Sequence, residues 1–356
     1  MAVSMMDIAR RCGLSRPTVN LVLNGKSHLL RPETVERVLA AATALGYRAN
    51  AAARAMRLGR HSTIALLSSA APGMSGVPVT TLNALHDHLA AHGFKLLYSR
   101  LPDAQLTDPT QLPAVISDYC ADAVIISRLL PAGDPVAAAL ADANTPAVWF
   151  NIERDQDTVR PDDVAAGRDA TARLLAAGHR RIAYLNALFT LHTSELDRRR
   201  GYHEAMVAAG LTAEAHHAAN ARTTAGGPAL LDMDRFLRSW LGGPQRPTAL
   251  VLNEPYHVPA VRLACADLGL RIPEDLSLIA ICGTASTELG TPTSSLMVPE
   301  AELGTALGRM VLARLADPKT RLPTVRVPFS VKAGATVAAP PPVDTPAKSR
   351  PRSAKR

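Results

Sequence analysis

The chain has 356 residues, of which 47% are hydrophobic and 20% charged, with a formal net charge of +8. That length allows two or three domains with a sizeable core. The charge is uneven: residues 1–60 hold ten basic against three acidic side chains and residues 340–356 hold five against one, which leaves the middle mildly acidic. The basic ends point to nucleic acid, or to one such end plus a solvated tail. Cys12, Cys120, Cys265 and Cys282 lie far apart without a CxxC pair and read as reduced, mostly buried thiols. His86, His88 and His92 fall on an expected helix and His216 and His217 are adjacent, but neither group has a third partner at ligand spacing. No metal and no cofactor are therefore expected. There is no signal peptide and no apolar run approaches a membrane span, so the sequence predicts a cytoplasmic, nucleoid-associated protein without a membrane partner.

The first organised stretch is Asp7 to Asn24. Ile8, Ala9 and Cys12 have helical spacing, and Gly13 ends the helix where a left-handed residue costs least. Ser15 is placed to cap a second helix, Pro17 sits inside its first turn, and Val19, Val22 and Leu23 form its inner stripe. Arg16, Thr18 and Asn20 are left outside, offering the groups that pair with phosphates and base edges in a major groove. A third helix begins at Arg31-Pro32-Glu33, carries Val35, Val38, Leu39, Ala42 and Leu45 on one stripe, and closes at Gly46-Tyr47. The spacing predicts a helix-turn-helix.

With Asn50, Ala53, Arg54 and Met56 following, this opening resembles that of the lactose-repressor (LacI/GalR) family of bacterial transcription regulators. The matching positions are Asp7, Ile8, Ala9, Gly13, Leu14, Ser15, Thr18, Val19, Val22, Leu23, Asn24, Gly46, Tyr47, Asn50 and Ala53. Three positions depart from the family: Asn20-Leu21 replace a usual Ser-Arg, Ala49 replaces a proline, and Met56 replaces the leucine wedged into the minor groove. The resemblance implies DNA contacts from Ser15, Arg16, Pro17, Thr18, Asn20 and Lys26 in the headpiece and from Asn50, Ala53, Arg54 and Met56 in the hinge. Residues 50–57 are too short for a stable free helix and are expected to fold on DNA.

Beyond the hinge, β-rich runs alternate with helical ones. Strands are expected at 62–68, 94–98, 123–127, 147–151, 182–186, 249–253 and 277–281. Helices are expected at 79–92, 109–119, 135–143, 165–177, 199–209, 233–241 and 258–268. Such alternation implies parallel sheets covered on both faces, with ligands at the C-terminal strand edge. The segments 121–127, 178–185, 198–206, 247–253, 269–279 and 299–304 resemble the family's effector domain, so the resemblance spans roughly residues 4–337. The expected fold is α/β. An all-α helix-turn-helix headpiece (1–48) and a hinge (49–60) precede a two-subdomain effector and dimerisation domain of the periplasmic-binding-protein type (61–337). Crossovers are expected near 160, 290 and 322. Residues 338–356 are Pro-rich and basic and are expected to be a disordered tail that either adds sequence-independent phosphate contacts or is a solubilising appendage.

In the resemblance Arg198 starts a helix and reaches into the cleft to hold the effector. Asn151 and Cys282 stand where sugar-binding relatives have aspartates, and Asn253-Glu254 replace an Asn-Asp pair. With those acids absent, an acidic or amide-bearing ligand is favoured over a neutral sugar. Ser69, Ser127, Arg128, Phe189, Thr190 and His192 complete the expected cleft, with Asn186 and Ser194 beside them. The implied function is a sequence-specific DNA-binding regulator, a repressor, that reads a pseudo-palindromic operator as a homodimer and answers to a small-molecule effector. Dimerisation is assigned to the N-subdomain, including the helix at 79–92. The alternatives are a ligand-independent regulator with a degenerate cleft, an exported solute-binding protein, and an α/β enzyme. The last lacks a GxxxxGK phosphate loop and a nucleophile elbow.

Overall fold

The structure, a computed structural model, describes residues 3–23, 27–47, 60–70, 76–118, 120–127, 134–186, 193–217, 230–253, 257–283, 287–288 and 290–342. It divides into two compact units, residues 1–62 and 63–356.

In the first unit, α1 (Met5–Cys12), α2 (Arg16–Leu23), a single 3-10 turn (Ser27–Leu29) and α3 (Pro32–Ala44) enclose a small core. Ile8, Val19 and Val38 are fully buried at its centre, one from each helix. Ser4 and Asp7 cap α1 reciprocally, and Gly13 stops it at φ 58°. Pro32 opens α3, where its missing N–H removes no bond. The α3 stripe differs from expectation at one position. Leu39 is 48% exposed, while Ala41 is buried with Val38 and Ala42. Leu39 lies about 100° around the helix from Val38, outside the narrow arc that two short partner helices cover.

The second unit contains two six-stranded sheets. Its N-subdomain sheet uses β1 (Thr63–Ser69), β2 (Lys95–Leu101), β3 (Ala123–Ser127), β4 (Ala147–Phe150), β5 (Thr158–Pro161) and β13 (Val325–Val327), in the order β13-β5-β4-β3-β1-β2, all parallel. Alternate residues feed its two faces. Ile64, Leu66, Ile125, Val148 and Phe150 pack under α4 (Val79–Ala91) and α12 (Glu300–Ala316). Ala65, Leu67, Val124, Ile126 and Trp149 pack under α6 (Leu112–Asp118) and α7 (Asp134–Asp142). Both sets are apolar because a sheet covered on both sides has no wet face. The helix expected at 109–119 starts later, as α6, and a further short helix, α5 (Asp103–Thr107), precedes it. The Asp108 carboxylate accepts from the Thr110 amide and hydroxyl, making a turn that separates them.

The C-subdomain sheet uses β6 (Ile182–Asn186), β7 (Glu214–His217), β8 (Ala249–Leu252), β9 (Ser277–Cys282), β12 (Ser295–Met297) and β14 (Ser330–Lys332), in the order β14-β12-β9-β8-β6-β7. All pairs are parallel except β12 with β14. One face carries α8 (Asp163–Ala176) and α9 (Thr193–Ala208), the other α10 (Leu230–Leu241) and α11 (His257–Asp267). A two-stranded ribbon, β10 (Thr287–Glu288) with β11 (Thr291–Pro292), stands apart.

The chain passes between the subdomains after β5, after β12 and between β13 and β14. The first passage is next to Arg160. The other two fall later than the expected 290 and 322, because residues 295–297 and 325–327 complete a strand in each sheet before the chain leaves. Of the tail expected to be disordered, residues 338–342 are described, and Ala338 is held in place. The Ala338 carbonyl accepts from His179 Nε2 at 2.9 Å, and the Ala338 amide donates to Ser277 Oγ at 3.0 Å. The rest of the basic tail, 343–356, lies outside the described residues.

Candidate nucleic-acid interface and inter-subdomain cleft

The turn between α1 and α2 presents one polar surface. Ser15 Oγ accepts from the Thr18 amide at 3.3 Å and lies 2.8 Å from Thr18 Oγ1, so the pair caps α2 in the expected way. Ser15, Arg16 and Pro17 are exposed, and Thr18 and Asn20 are half-buried. Val19 and Val22, on the opposite side, anchor the helix in the core, which fixes the direction in which the Arg16 turn faces. An exposed guanidinium and a hydroxyl at a helix N-terminus, with its partial positive charge, form an anion-seeking edge. Lys26, Asn50, Ala53, Arg54 and Met56 lie outside the described residues.

In the second unit, Ser69, Ser127 and Asn151 stand at the C-terminal edge of the N-subdomain sheet, and Asn186, Asn253 and Cys282 at that of the C-subdomain sheet. Asn151 is left-handed, at φ 54°, which turns its side chain out of the β4 direction. Its Oδ1 accepts from Ser194 Oγ at 3.2 Å and its carbonyl accepts from Thr193 Oγ1 at 3.4 Å. The first turn of α9 therefore bridges the two subdomains.

Arg198 sits in the second turn of α9, not at its start as expected, since the helix begins at Thr193. Thr193 and Ser194 suit a first turn and Glu195 suits the dipole there, so the helix starts before the apolar spacing reveals it. The residue is 6% exposed. Its Nε donates to Asp163 Oδ1 at 2.8 Å and its Nη1 to the Asn253 carbonyl at 2.9 Å. Tyr184 OH donates to Asn253 Oδ1 at 2.8 Å, and Asn253 Nδ2 approaches Asn186 Oδ1 at 3.5 Å. Of the residues expected to form the site, Asn151, Asn186, Ser194, Arg198 and Asn253 are thus brought together.

Cys282 is a correction. Its side chain is 1% exposed and belongs to the apolar layer under α10 and α11, with Sγ 3.9 Å from Met297 Sδ. Alternation along β9 sends Ala280 and Cys282 to that face and Ile279 and Ile281 to the other. Arg128, Phe189, Thr190, His192 and Glu254 lie outside the described residues.

Sequence reasoning missed the charged partners. Arg160, fully buried at the end of β5, pairs closely with Asp197 of α9 and lies 3.8 Å from Glu153. Asp197 also meets Arg200 at 2.8 Å. Burial pushes the Asp163 carboxyl up while Arg198 opposes that shift, and burial likewise raises Glu195 against the pull of Arg199 and an Asn186 bond. These carboxylates remove the reason for favouring an anionic ligand, because the charge of Arg198 is matched by Asp163 within the protein. The available signal was a charged residue between Val159 and Pro161, in a strand otherwise buried.

Among the described residues no group of three His, Cys, Asp or Glu side chains could hold a metal ion. No helix among them is long and apolar enough to cross a membrane.

Residues 4–50 match the family described as bacterial regulatory proteins, lacI family. Residues 79–236 match the periplasmic binding proteins and sugar binding domain of that family, and residues 171–337 a periplasmic binding protein-like domain. The HTH-type transcriptional regulator AglR of Rhizobium meliloti (strain 1021) is 31% identical over 289 residues, covering 79% of this chain and 78% of its own. The HTH-type transcriptional regulator CelR of Thermobifida fusca is 27% identical over 329 residues, covering 88% and 92%. Among solved structures, the lac repressor dimer bound to operator and the anti-inducer ONPF gives a TM-score of 0.76 at 19% identity, over 95% of this chain and 100% of that one. A CelR–cellobiose complex gives 0.59 at 22% identity, over 94% and 99%.

Proposed function

The chain belongs to the lacI family of bacterial regulatory proteins, and on that premise we propose that it is a repressor binding a pseudo-palindromic operator as a homodimer under the control of a small effector. The observation that carries the DNA-binding half is the capped N-terminal turn of α2, which holds Arg16 and Thr18 outward on a helix anchored by Val19 and Val22. One headpiece offers a small polar interface, so specific affinity needs two half-sites read by one symmetric dimer. Arg16 and Asn20 read bases, while Thr18 and Lys26 contact phosphates. The headpiece is assigned to 1–48, the hinge to 49–60 and effector binding and dimerisation to 61–337. Replacing Arg16 by Ala costs about 1–3 kcal/mol of operator affinity and relaxes one base position. Unchanged affinity and unchanged sequence preference in that variant would show that α2 is not oriented on DNA in this way.

The effector half rests on the polar network around Arg198 at the facing strand edges. Because Asp163 balances that guanidinium, the cleft suits an uncharged ligand rich in hydroxyl or amide groups rather than an anion. The CelR–cellobiose complex is a relative of similar fold that holds such a molecule. A thermal-shift screen of neutral saccharides against organic acids of equal size tests this choice. Stabilisation by acids alone would contradict it. The exposed positions of α4, among them Thr80, Asn83 and His86, are assigned to the dimer contact.

A further inference from the structure

The N-subdomain holds a cavity at the sheet edge away from the cleft. It measures about 380 Å³ and lies between the end of α7, the turn that leads into β4, and the segment after α12. One wall is apolar, made by Leu140, Ala141, Pro146 and Trp149, and the other is cationic, made by Arg314, Lys319 and Arg321. No acidic side chain lines it among the described residues.

The cationic wall is held in place from behind. Asp157, 1% exposed and left-handed at φ 53°, accepts from Arg321 Nη1 at 2.7 Å and from the Leu322 amide at 2.9 Å, and lies 3.3 Å from Arg314 Nε. A buried non-glycine residue in that conformation costs energy, and it persists because four bonds fix it: its amide also donates to Leu322 O and its carbonyl accepts from Trp149. Arg314 directs Nη1 at backbone carbonyls of the 317–320 turn, including Pro318 O at 2.9 Å. Asp317 has its carboxylate turned onto the Lys319 and Thr320 amides. One carboxylate therefore serves two guanidiniums, and Lys319 adds a third positive charge at the cavity mouth. Electrostatics favours an anion there. The volume falls in the range of small-ligand sites, and the apolar wall asks for a hydrocarbon body.

We propose that this cavity is a second small-molecule site, separate from the inter-subdomain cleft, that takes a monoanion with a short apolar body, a medium-chain or aromatic carboxylate. Its head meets Lys319 and Arg321, and its body lies along Ala141, Leu140 and Trp149. The cavity opens at the N-terminal strand edge, where β1 begins at Thr63, whereas Ser69, Ser127 and Asn151 end their strands at the opposite edge. Occupation of the two sites is therefore spatially independent.

The test uses the full chain carrying Trp240→Phe, so that Trp149 alone reports by fluorescence, titrated with octanoate and separately with octylamine. Ala141 and Lys319 are both exposed, so Ala141→Phe and Lys319→Glu can fill the cavity and reverse its charge without disturbing the core; an unchanged unfolding midpoint verifies this. The expected result is saturable one-to-one binding of octanoate that is weakened at least tenfold by Lys319→Glu, lost in Ala141→Phe, and at least tenfold tighter than octylamine. Absence of saturable binding at millimolar octanoate, equal binding of the amine, or affinities within twofold in both variants would overturn the proposal.

Discussion

Arg160 and Asp197 define the problem that a buried charge poses. The arginine is wholly enclosed at the end of an N-subdomain strand, and Asp197 reaches it from a C-subdomain helix. Removing one partner strands the other in a low dielectric, which typically costs about 3–5 kcal/mol, whereas replacing both by apolar groups of similar volume is near neutral. Asp197→Asn should therefore lower the urea midpoint clearly, and the double variant Arg160→Met/Asp197→Leu should recover most of the loss. Losses that simply add across the two positions would show that the pair is not coupled. His179 sets a second expectation at this scale. Burial pushes its imidazole below the ordinary 6.5, so folding favours the neutral ring that joins Thr248 to Ala338. A histidine depressed in the folded state contributes fully above about pH 6.5, and that contribution is lost as pH falls through that value toward the folded pKa. Urea unfolding followed from about pH 7.5 to 5.5 should show this decline, and His179→Gln should flatten it. An equally steep decline in the variant would assign it elsewhere.

Among the elements, α8 and α9 pack most closely. A Cβ on Gly201 would fall 1.9 Å from the Val164 carbonyl oxygen, and one on Gly167 equally close to the Arg198 carbonyl oxygen. These contacts are with backbone, so neither helix can yield locally. Gly201→Ala should destabilise the chain by about 1–3 kcal/mol or more and displace Arg198, whereas Gly210→Ala, strained but in open space, should leave the cleft intact. Equal thermal stability of Gly201→Ala and the parent would contradict the close approach. Strands β1–β4, β6, β8 and β9 were legible because runs such as Ile64–Leu67 and Leu250–Leu252 are apolar at every position, as double-sided burial requires. The start of α9 was not, because its first turns bury Glu195, Asp197 and Arg198 against other charges and so lack an apolar stripe. Cys282 was misplaced for a related reason: position along a strand identifies the edge, but only the register decides which face a side chain takes. Short strands such as β13 and β14 carry too few residues to show any period.

At the scale of the molecule, a small helical unit with an outward Arg16 turn is followed by two mainly parallel sheets linked by three passages and bridged at α9. Unequal ligand affinity for two arrangements of the subdomains is what control by an effector requires, and the Asn151–Ser194 and Arg160–Asp197 contacts are the bonds such a change would remake. Symmetric readout of DNA by Arg16 is tested by selecting binding sites from a random duplex library with the full chain. Affinity is then measured by fluorescence anisotropy for the selected duplex, for a single half-site, and for Arg16→Ala. The expected result is an inverted repeat, a half-site bound at least a hundredfold more weakly, and a loss in the variant of roughly 5- to 150-fold, the equivalent of about 1–3 kcal/mol. An asymmetric consensus bound equally well by one half-site, with Arg16→Ala unchanged, would contradict it.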